Sequence, residues 1–231
     1  MYAKYIKRIL DFSLALLALI LLSPVLLILI VVGAVNMKGN PFFTQLRPGK
    51  GEKIFKLIKF RSMTCEKDEN GNLLPDEKRL TKYGKLLRST SLDELPELLN
   101  ILKGDMAIVG PRPQLVRDMV FMSPEHRRRH TVRQGLTGLA QVSGRNAISW
   151  ENKLDYDLEY IQKITFWGDI KIIFRTAVNV FKRDGINEEG MATAEDYGDY
   201  LLRTGVVSED EYRQKMAYAK ELLDARVKTK A

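Results

Sequence analysis

Two adjacent carboxylates stand at the start of a predicted helix, in the run Arg88-Ser-Thr-Ser-Leu-Asp93-Glu94-Leu-Pro96. Ser91 and Glu94 have the spacing of a capping box, and acids in a first turn complement the helix dipole, so a structural role is open. A functional role would give the two acids different tasks, because neighbouring helical residues point about 100° apart. One carboxylate would attack phosphorus, with Mg²⁺ offsetting the charge repulsion, and the other would bind metal or move a proton.

Basic residues in turn or strand-end segments supply a context for such chemistry. They are Lys59, Arg61, Arg88, Arg112 and Arg145. A guanidinium matches phosphate in a bidentate geometry, and Arg112 stands between Pro111 and Pro113, which restrict its backbone. Any one of these basic residues, taken alone, is typically a solvated charge on the protein surface. Beside an acidic pair, the set predicts phosphate binding.

Composition and the remaining motifs narrow the class of protein. The 231 residues carry a formal net charge of +8, and the single cysteine, Cys65, excludes an intramolecular disulfide. A positive net charge is compatible with binding to nucleic acid, to an anionic membrane or to a phosphorylated substrate. The sequence, however, has no nucleic-acid recognition motif. We therefore expect no nucleic-acid partner. His126 and His130 have a metal-ligand spacing, yet three arginines lie between them, which favours a structural or phosphate-contacting role over zinc.

An almost continuously apolar run over residues 12–35 predicts a membrane segment. As one straight helix it would be about 36 Å long, enough to span a bilayer. Ser23-Pro24 breaks the run into halves of about 18 Å, each shorter than a hydrocarbon core. Basic residues flank both ends, which favours the cytoplasmic side for each end. On these grounds a re-entrant helix and a kinked full span are both open.

The sequence patterns around these residues predict a mainly helical α+β fold. Turn residues predict a small β-hairpin over residues 41–63, and leucines at helical spacing predict a helix over 92–102 that Gly104 closes. The continuous apolar residues 106–109 indicate a short buried strand. The glycine-rich residues 135–144 predict a loop.

The patterns of two later segments predict helices that lie outside the acidic pair and its basic companions. Apolar residues recur at helical spacing between Ile170 and Phe181, with basic residues on another side. This pattern fits an amphipathic interfacial helix, or a core stripe with a solvated face. Residues 196–202 and a helix after Ser208 predict a C-terminal hairpin that serves association or lid packing.

Five runs, taken together, resemble the bacterial sugar transferases, the small monotopic polyprenyl-phosphate phosphoglycosyl transferases. The runs are Lys59-Phe-Arg-Ser-Met63, Arg88 to Pro96, Leu102-Lys-Gly-Asp-Met106, Val109-Gly-Pro-Arg-Pro113, and Gly135-Leu-Thr-Gly-Leu-Ala-Gln-Val142 followed by Gly144-Arg145. The match extends from residue 1 to about residue 195. One departure is Gln134, where the family commonly has proline, and we expect it to loosen the loop entering the glycine-rich run.

This resemblance implies a fold and a reaction. It implies a re-entrant membrane helix in 1–37, broken at Ser23-Pro24, a catalytic domain in 38–195 at the cytoplasmic face of the bacterial inner membrane, and a C-terminal helical extension in 196–231. It implies transfer of a sugar 1-phosphate from a UDP-sugar to undecaprenyl phosphate, with UMP released and Mg²⁺ as cofactor. The expected sugar is an N-acetylated hexosamine or a deoxy derivative such as N,N′-diacetylbacillosamine.

The resemblance also implies roles for particular residues. Asp93 matches a nucleophile that forms a covalent phosphosugar-aspartate and contacts Mg²⁺, and Glu94 matches its partner in acceptor deprotonation. The substrate-binding positions are Lys59, Arg88, Pro111, Arg112, Pro113, Gln141 and Arg145. Lys7 and Arg8 match residues at the lipid head groups.

Two other functions compete with this one. A membrane-tethered basic scaffold would bind anionic lipid or nucleic acid and would not depend on Asp93. A glycosyltransferase that moves the sugar without its phosphate would release UDP instead of UMP. A homo-oligomer through the C-terminal hairpin is a further prediction.

Overall fold

The computed structural model describes residues 1–144, 148–182 and 195–228 of the chain. Its helices in these ranges are α1 (Lys7–Leu21), α2 (Ser23–Asn36), α3 (Asp76–Arg79), α4 (Lys82–Ser89), α5 (Glu97–Lys103), α6 (Val116–Met119), α7 (Pro124–Arg127), α8 (Leu139–Ser143), α9 (Trp150–Gln162), α10 (Phe166–Lys182), α11 (Tyr197–Arg203) and α12 (Glu209–Lys228). Its strands are β1 (Phe42–Pro48), β2 (Ile54–Phe60), β3 (Met106–Val109) and β4 (Gln134–Thr137). The predicted α+β, mainly helical class is confirmed.

Helices α1 and α2 form the predicted apolar segment and are bent by 66° relative to each other. Pro24 has no N–H to offer the carbonyl of Ile20, and the Ser23 hydroxyl donates to that carbonyl at 2.8 Å instead. Among the described residues, no single helix is long and apolar enough to cross a membrane, and only the bent pair taken together has the required length and composition. The break at Ser23-Pro24 is confirmed, and the re-entrant course stays a prediction.

The start of α1 is held to the rest of the protein by charged groups. The Lys7 ammonium contacts the Asp169 carboxylate at 2.7 Å. Arg8 donates to the carbonyls of Ile101 and Leu102 at the end of α5. Both basic side chains therefore have protein partners, and their assignment to lipid head groups stays a prediction.

Strands β1 and β2 form the predicted hairpin, with Phe42 opposite Phe60 in an antiparallel register. Helix α5 is fixed against the hairpin by Asn100, whose side chain accepts from the Ile58 N–H at 3.1 Å and donates to the Lys56 carbonyl at 2.8 Å. Because Asn100 is fully buried, water cannot reach its amide group, and these bonds satisfy the amide's polar atoms instead. The start of α5 is thereby placed beside the end of β2.

The glycine-rich residues do not form the predicted loop. Residues 134–137 are strand β4, parallel to β3, and α8 follows directly after Gly138. A Cβ on Gly135 would lie 2.2 Å from the Gly110 nitrogen, and one on Gly138 would lie 2.2 Å from the Gly110 oxygen. These glycines therefore serve close backbone packing instead of a turn. Gln134 is 0% exposed at the start of β4, and its effect on the entry to the glycine-rich run stays a prediction.

One face of α10 leaves large apolar side chains uncovered. Trp167 and Phe174 are 77% and 69% exposed, whereas Ile172 on the opposite side is 5% exposed and lies in the core. An exposed apolar face favours an interfacial helix over a core stripe.

The C-terminal helices α11 and α12 form the predicted hairpin and pack on the rest of the protein. The Ser208 hydroxyl accepts from the Glu211 N–H at 3.2 Å at the start of α12. Their shared core with α6 contains Val116, Met119, Phe121, Tyr197, Leu201 and Ala219. The hairpin is therefore part of the same packed body as α6.

Candidate active site

Lys59 reaches the acidic pair from the end of β2. It shares a strand face with Phe55 and Leu57, which are buried in a core with α5. Because strand residues two apart point the same way, the Lys59 side chain is directed toward the start of α5. Its ammonium lies 2.9 Å from the Glu94 carboxylate and 3.1 Å from the Glu97 carboxylate. One lysine thus bridges two carboxylates.

The acidic pair lies in a 3₁₀ turn, Leu92–Glu94, which precedes α5. Ser91 adopts a left-handed conformation with φ of 56°, and its hydroxyl does not cap the turn, so the predicted capping box is wrong. The Glu94 carboxylate instead accepts from Arg112 at 2.6 Å as well as from Lys59. Charge-assisted bonds of this kind are stronger than a bond to a neutral cap N–H.

The two neighbouring carboxylates have opposite surroundings. Glu94 Oε1 is shared by two cations, Lys59 and Arg112. The Asp93 carboxylate makes no hydrogen bond or ion pair with any residue in 1–144, 148–182 or 195–228. Glu94 is therefore a fixed anion, and Asp93 is a free one.

Burial and charge move the pKa values of these acids in different directions. Burial raises the pKa of Asp93, against the opposing effect of Lys59, and the charge of Glu94 adds to the rise. Burial also acts to raise the pKa of Glu94, but Arg112 and Lys59 outweigh it and hold that pKa well below the usual range. Glu94 is thus ionised in this arrangement and a poor base while both cations stay on it.

The backbone that presents Arg112 is held by a buried ion pair. Residues 111–113 follow β3, and the Arg112 carbonyl accepts from Arg129 Nη2 at 2.5 Å. Arg129 is 0% exposed, and its Nε donates to the Asp157 carboxylate at 2.8 Å. Pro113 contributes its carbonyl to Arg47 at 3.3 Å. The site therefore depends on side chains well outside the predicted set.

The remaining predicted substrate-binding residues are placed unequally. Arg88 lies beside the pair, donates to the Ser62 hydroxyl at 3.0 Å and interacts electrostatically with Asp93. Gln141 donates to the Leu136 carbonyl at 3.3 Å, at the β4–α8 junction. Arg145 lies outside the described residues.

The bacterial sugar transferase family model matches residues 2–183, which include the whole of this constellation. The chain belongs to the bacterial sugar transferase family. The uncharacterized sugar transferase EpsL of Bacillus subtilis is 46% identical over 192 residues, covering 83% of this chain and 95% of EpsL. The chain is therefore an enzyme that transfers a sugar.

Other relatives of this sugar transferase carry names that state a reaction. The UDP-glucose:undecaprenyl-phosphate glucose-1-phosphate transferase of Klebsiella pneumoniae is 40% identical over 185 residues, covering 76% of this chain but 40% of that protein. The protein of the same name from Caulobacter vibrioides is 37% identical over 188 residues, covering 77% of this chain and 70% of its own length. The chain thus spans nearly all of EpsL and about two fifths of the Klebsiella protein.

The residues of this sugar transferase fit one mode of Mg²⁺ binding. Mg²⁺ is commonly held by one or two carboxylates together with substrate phosphates. The free carboxylate of Asp93 meets that need, whereas the described residues contain no group of three or more side chains suited to a metal. Asp93 would be the protein ligand of such an ion, and substrate phosphates would supply the other oxygens.

The two histidines at metal-ligand spacing face different groups. His126 Nε2 lies 3.1 Å from Asp155, and His130 Nδ1 lies 3.2 Å from the Arg127 carbonyl. Burial lowers the pKa of His130 to about 3, so this histidine is neutral and structural at ordinary pH.

Sequence reasoning missed three residues of the site. Glu97 lies three residues after Glu94, a spacing that brings side chains together on a helix and was a usable signal. Arg129 and Asp157 are 28 residues apart and belong to separate elements, so no local pattern links them.

Glu97→Gln is expected to change how the stability of the protein depends on pH. Burial raises the pKa of Glu97 above its ordinary value of 4.5, Lys59 opposes the rise, and Glu94 adds to it. A raised folded-state pKa contributes stability that is fully present below the ordinary pKa and is lost as pH rises through the folded value. The pKa of Glu97 in the folded protein is about 7, so the unfolding temperature of wild type relative to Glu97→Gln should fall between about pH 4.5 and about pH 7.

The control for this prediction is the exposed acid Glu159, replaced by glutamine in the same detergent. Its difference from wild type should stay constant over that range. A constant difference for Glu97→Gln as well would contradict the raised pKa.

Proposed function

We propose that this enzyme transfers a sugar 1-phosphate from a UDP-sugar to undecaprenyl phosphate and releases UMP, in two steps through Asp93. The observation that carries the proposal is the contrast within the acidic pair. Asp93 is free to reach a phosphorus atom, while its neighbour is held by Lys59 and Arg112. Family membership and the reactions named for the relatives support the same reaction class.

In the first step, an Asp93 oxygen attacks the sugar-bound phosphorus of the UDP-sugar. The P–O–P bond breaks, UMP leaves, and the sugar 1-phosphate is joined to the aspartate as an acyl phosphate. In the second step, a phosphate oxygen of undecaprenyl phosphate attacks that phosphorus and the carboxylate of Asp93 leaves. Mg²⁺, when bound, offsets the negative charge that these groups bring together.

The cations beside the pair have a defined task in this scheme. Before substrate arrives, Lys59 contacts the carboxylates of Glu94 and Glu97, and Arg112 contacts that of Glu94. A diphosphate competes for them, because a guanidinium binds phosphate as it binds carboxylate. Moving either cation onto phosphate raises the pKa of Glu94 toward its usual range, so Glu94 becomes a better base for the acceptor phosphate.

The released nucleotide separates this function from its competitors. The purified protein in detergent or nanodiscs receives Mg²⁺, undecaprenyl phosphate and a panel of UDP-sugars. Lipid-dependent UMP supports the proposal, and lipid-dependent UDP would establish the glycosyltransferase alternative. Binding of lipid with no nucleotide released from any donor in the panel would contradict the proposed reaction.

The sugar itself stays a prediction. The panel contains N-acetylated donors, including UDP-N,N′-diacetylbacillosamine, because the family resemblance favours them. It also contains UDP-glucose and UDP-galactose, because the names of relatives state glucose or galactose transfer. The donor with the highest kcat/KM for UMP release identifies the sugar.

We also propose that α1 and α2 enter and leave one leaflet at the cytoplasmic face of the inner membrane. Ala3 is exposed before α1, and Cys65 is an exposed free cysteine in the catalytic domain. In a re-entrant arrangement, Ala3→Cys in a Cys65→Ser background is labelled from the same side of sealed vesicles as Cys65 in wild type. A full span puts residue 3 on the opposite side.

The control for this labelling is the Cys65→Ser protein without a new cysteine, which should take up no label from either side. Labelling of residue 3 only from the side opposite to Cys65 would overturn the re-entrant arrangement. The same result would leave the proposed reaction untouched, since UMP release is measured separately.

A further inference from the structure

A groove separate from the acidic pair has six basic residues among the thirteen that line it. Its larger part has a volume of about 610 Å³ and lies between the β1–β2 turn, the end of α5 and the last turns of α12. A smaller part of about 370 Å³ continues along β2 and shares Phe55, Asp105 and Arg226 with it. The basic residues of the groove are Lys50, Lys53, Lys56, Lys103, Arg133 and Arg226. Its one carboxylate is Asp105.

Two of these basic residues are held in place by the backbone. The Nε of Arg133 donates to the Gly104 carbonyl at 2.8 Å, and the Nε of Arg226 donates to the Ile54 carbonyl at 2.7 Å. The terminal nitrogens of both guanidiniums have no hydrogen-bond partner within the described residues. A guanidinium anchored through Nε keeps two terminal nitrogens with fixed direction, the geometry that binds phosphate in a bidentate way.

The four lysines of the groove carry charge that the protein does not neutralise. None of Lys50, Lys53, Lys56 and Lys103 has an ion pair within residues 1–144, 148–182 and 195–228. A cleft lined by charges of one sign focuses the electrostatic potential and concentrates counter-ions. Its volume lies within the range of small-ligand sites.

The groove is distinct from the active site, and helix α12 contributes one of its lining residues. It lies at the C-terminal end of α5, where Gly104 and Asp105 line it, whereas Lys59, Glu94 and Glu97 meet at the N-terminal end. Arg226 closes one side and stands outside residues 2–183, the part that matches the family model. The β1–β2 turn also lines it, and Arg226 contacts the Ile54 carbonyl directly after that turn.

We propose that this groove is an accessory binding site for a phosphate-bearing anion with at least two negative charges. The anion's oxygens accept from Arg133 and Arg226, and the lysines around the rim attract it. The phosphate comes from solution or from the head group of an anionic lipid. The proposal does not rest on the reaction assigned to the active site.

The test measures binding by the full chain in detergent with inorganic pyrophosphate as the probe. Every protein in the series also carries Arg112→Gln, which removes one active-site cation, and the difference between groove and control variants then reports the groove. Replacing Lys50, Lys53 and Lys103 with glutamine is expected to weaken pyrophosphate binding by roughly tenfold or more. These lysines are exposed, so their replacement leaves the core unchanged. A second variant, Arg133→Gln with Arg226→Gln, should have the same effect.

The matched control removes three exposed lysines elsewhere, Lys78, Lys85 and Lys220. It carries the same change of net charge and should bind pyrophosphate within about twofold of its parent.

A second arm measures binding to phosphatidylcholine vesicles with and without phosphatidylglycerol, using the same variants. Loss confined to the groove variants in either arm supports the site, and the arm that responds identifies the source of the phosphate. Equal loss in groove and control variants, or no binding of either probe by the parent, overturns the proposal.

Discussion

Replacing Asp93 with asparagine is expected to lower lipid-dependent UMP release by at least about 10³-fold. Asparagine keeps the size and shape of the side chain, but its amide has no negative charge with which to attack phosphorus. Because the Asp93 carboxylate makes no hydrogen bond or ion pair among the described residues, the change breaks none in the resting protein. The loss should therefore appear in kcat without a fall in the unfolding temperature, since the change removes a buried charge.

A mass measurement distinguishes loss of the nucleophile from a general loss of activity. Wild type mixed with Mg²⁺ and its UDP-sugar, without lipid, should gain the mass of one sugar phosphate, and Asp93→Asn should gain none. Glu94→Gln keeps the nucleophile, so it should still form the adduct while passing it to lipid more slowly. An adduct on Asp93→Asn, or full turnover by this variant, would exclude Asp93 as the nucleophile and leave the reaction class to be judged from the nucleotide released.

Replacing Asp157 with asparagine is expected to lower the free energy of unfolding by about 3–5 kcal/mol. Arg129 is 0% exposed, and Asp157 is 2% exposed. Without its carboxylate partner, the Arg129 guanidinium is a buried charge that the protein compensates poorly. Denaturant unfolding in detergent, followed by tryptophan fluorescence, measures the change.

An exposed pair of the same kind supplies the control for this prediction. Arg128 and Glu125 form an ion pair whose side chains are 54% and 58% exposed, so Glu125→Gln should cost at most about 1 kcal/mol. If Asp157→Asn costs no more than Glu125→Gln, the buried pair does not stabilise the fold as we infer.

A double replacement separates the stability of the fold from the positioning of the site. Arg129→Met with Asp157→Leu removes both buried charges and should recover most of the lost stability. It also removes the donor to the Arg112 carbonyl, so UMP release should stay low although the protein is stable. Recovery of both stability and turnover would show that the pair does not position Arg112.

The sequence alone determined the features that depend on neighbouring residues. The apolar run and its break follow from the missing N–H of Pro24, and the hairpin follows from turn residues between two short strands. The acidic pair and its basic companions were identified from residue types and family-like runs. Each of these signals lies within a few residues of chain, where local sterics and hydrogen bonding decide the outcome.

Tertiary structure decided which of the competing local preferences prevailed. Ser91 and Glu94 have the spacing of a capping box, but two cations from distant elements offered Glu94 stronger bonds. The start of the glycine-rich run became strand β4, because its glycines let this strand approach Gly110. Gly135 and Gly110 are 25 residues apart in the sequence. The pairing of Arg129 with Asp157 likewise exists only once their elements pack. Burial makes such long-range partners decisive, because a charge or polar group removed from water must find its bond inside the protein.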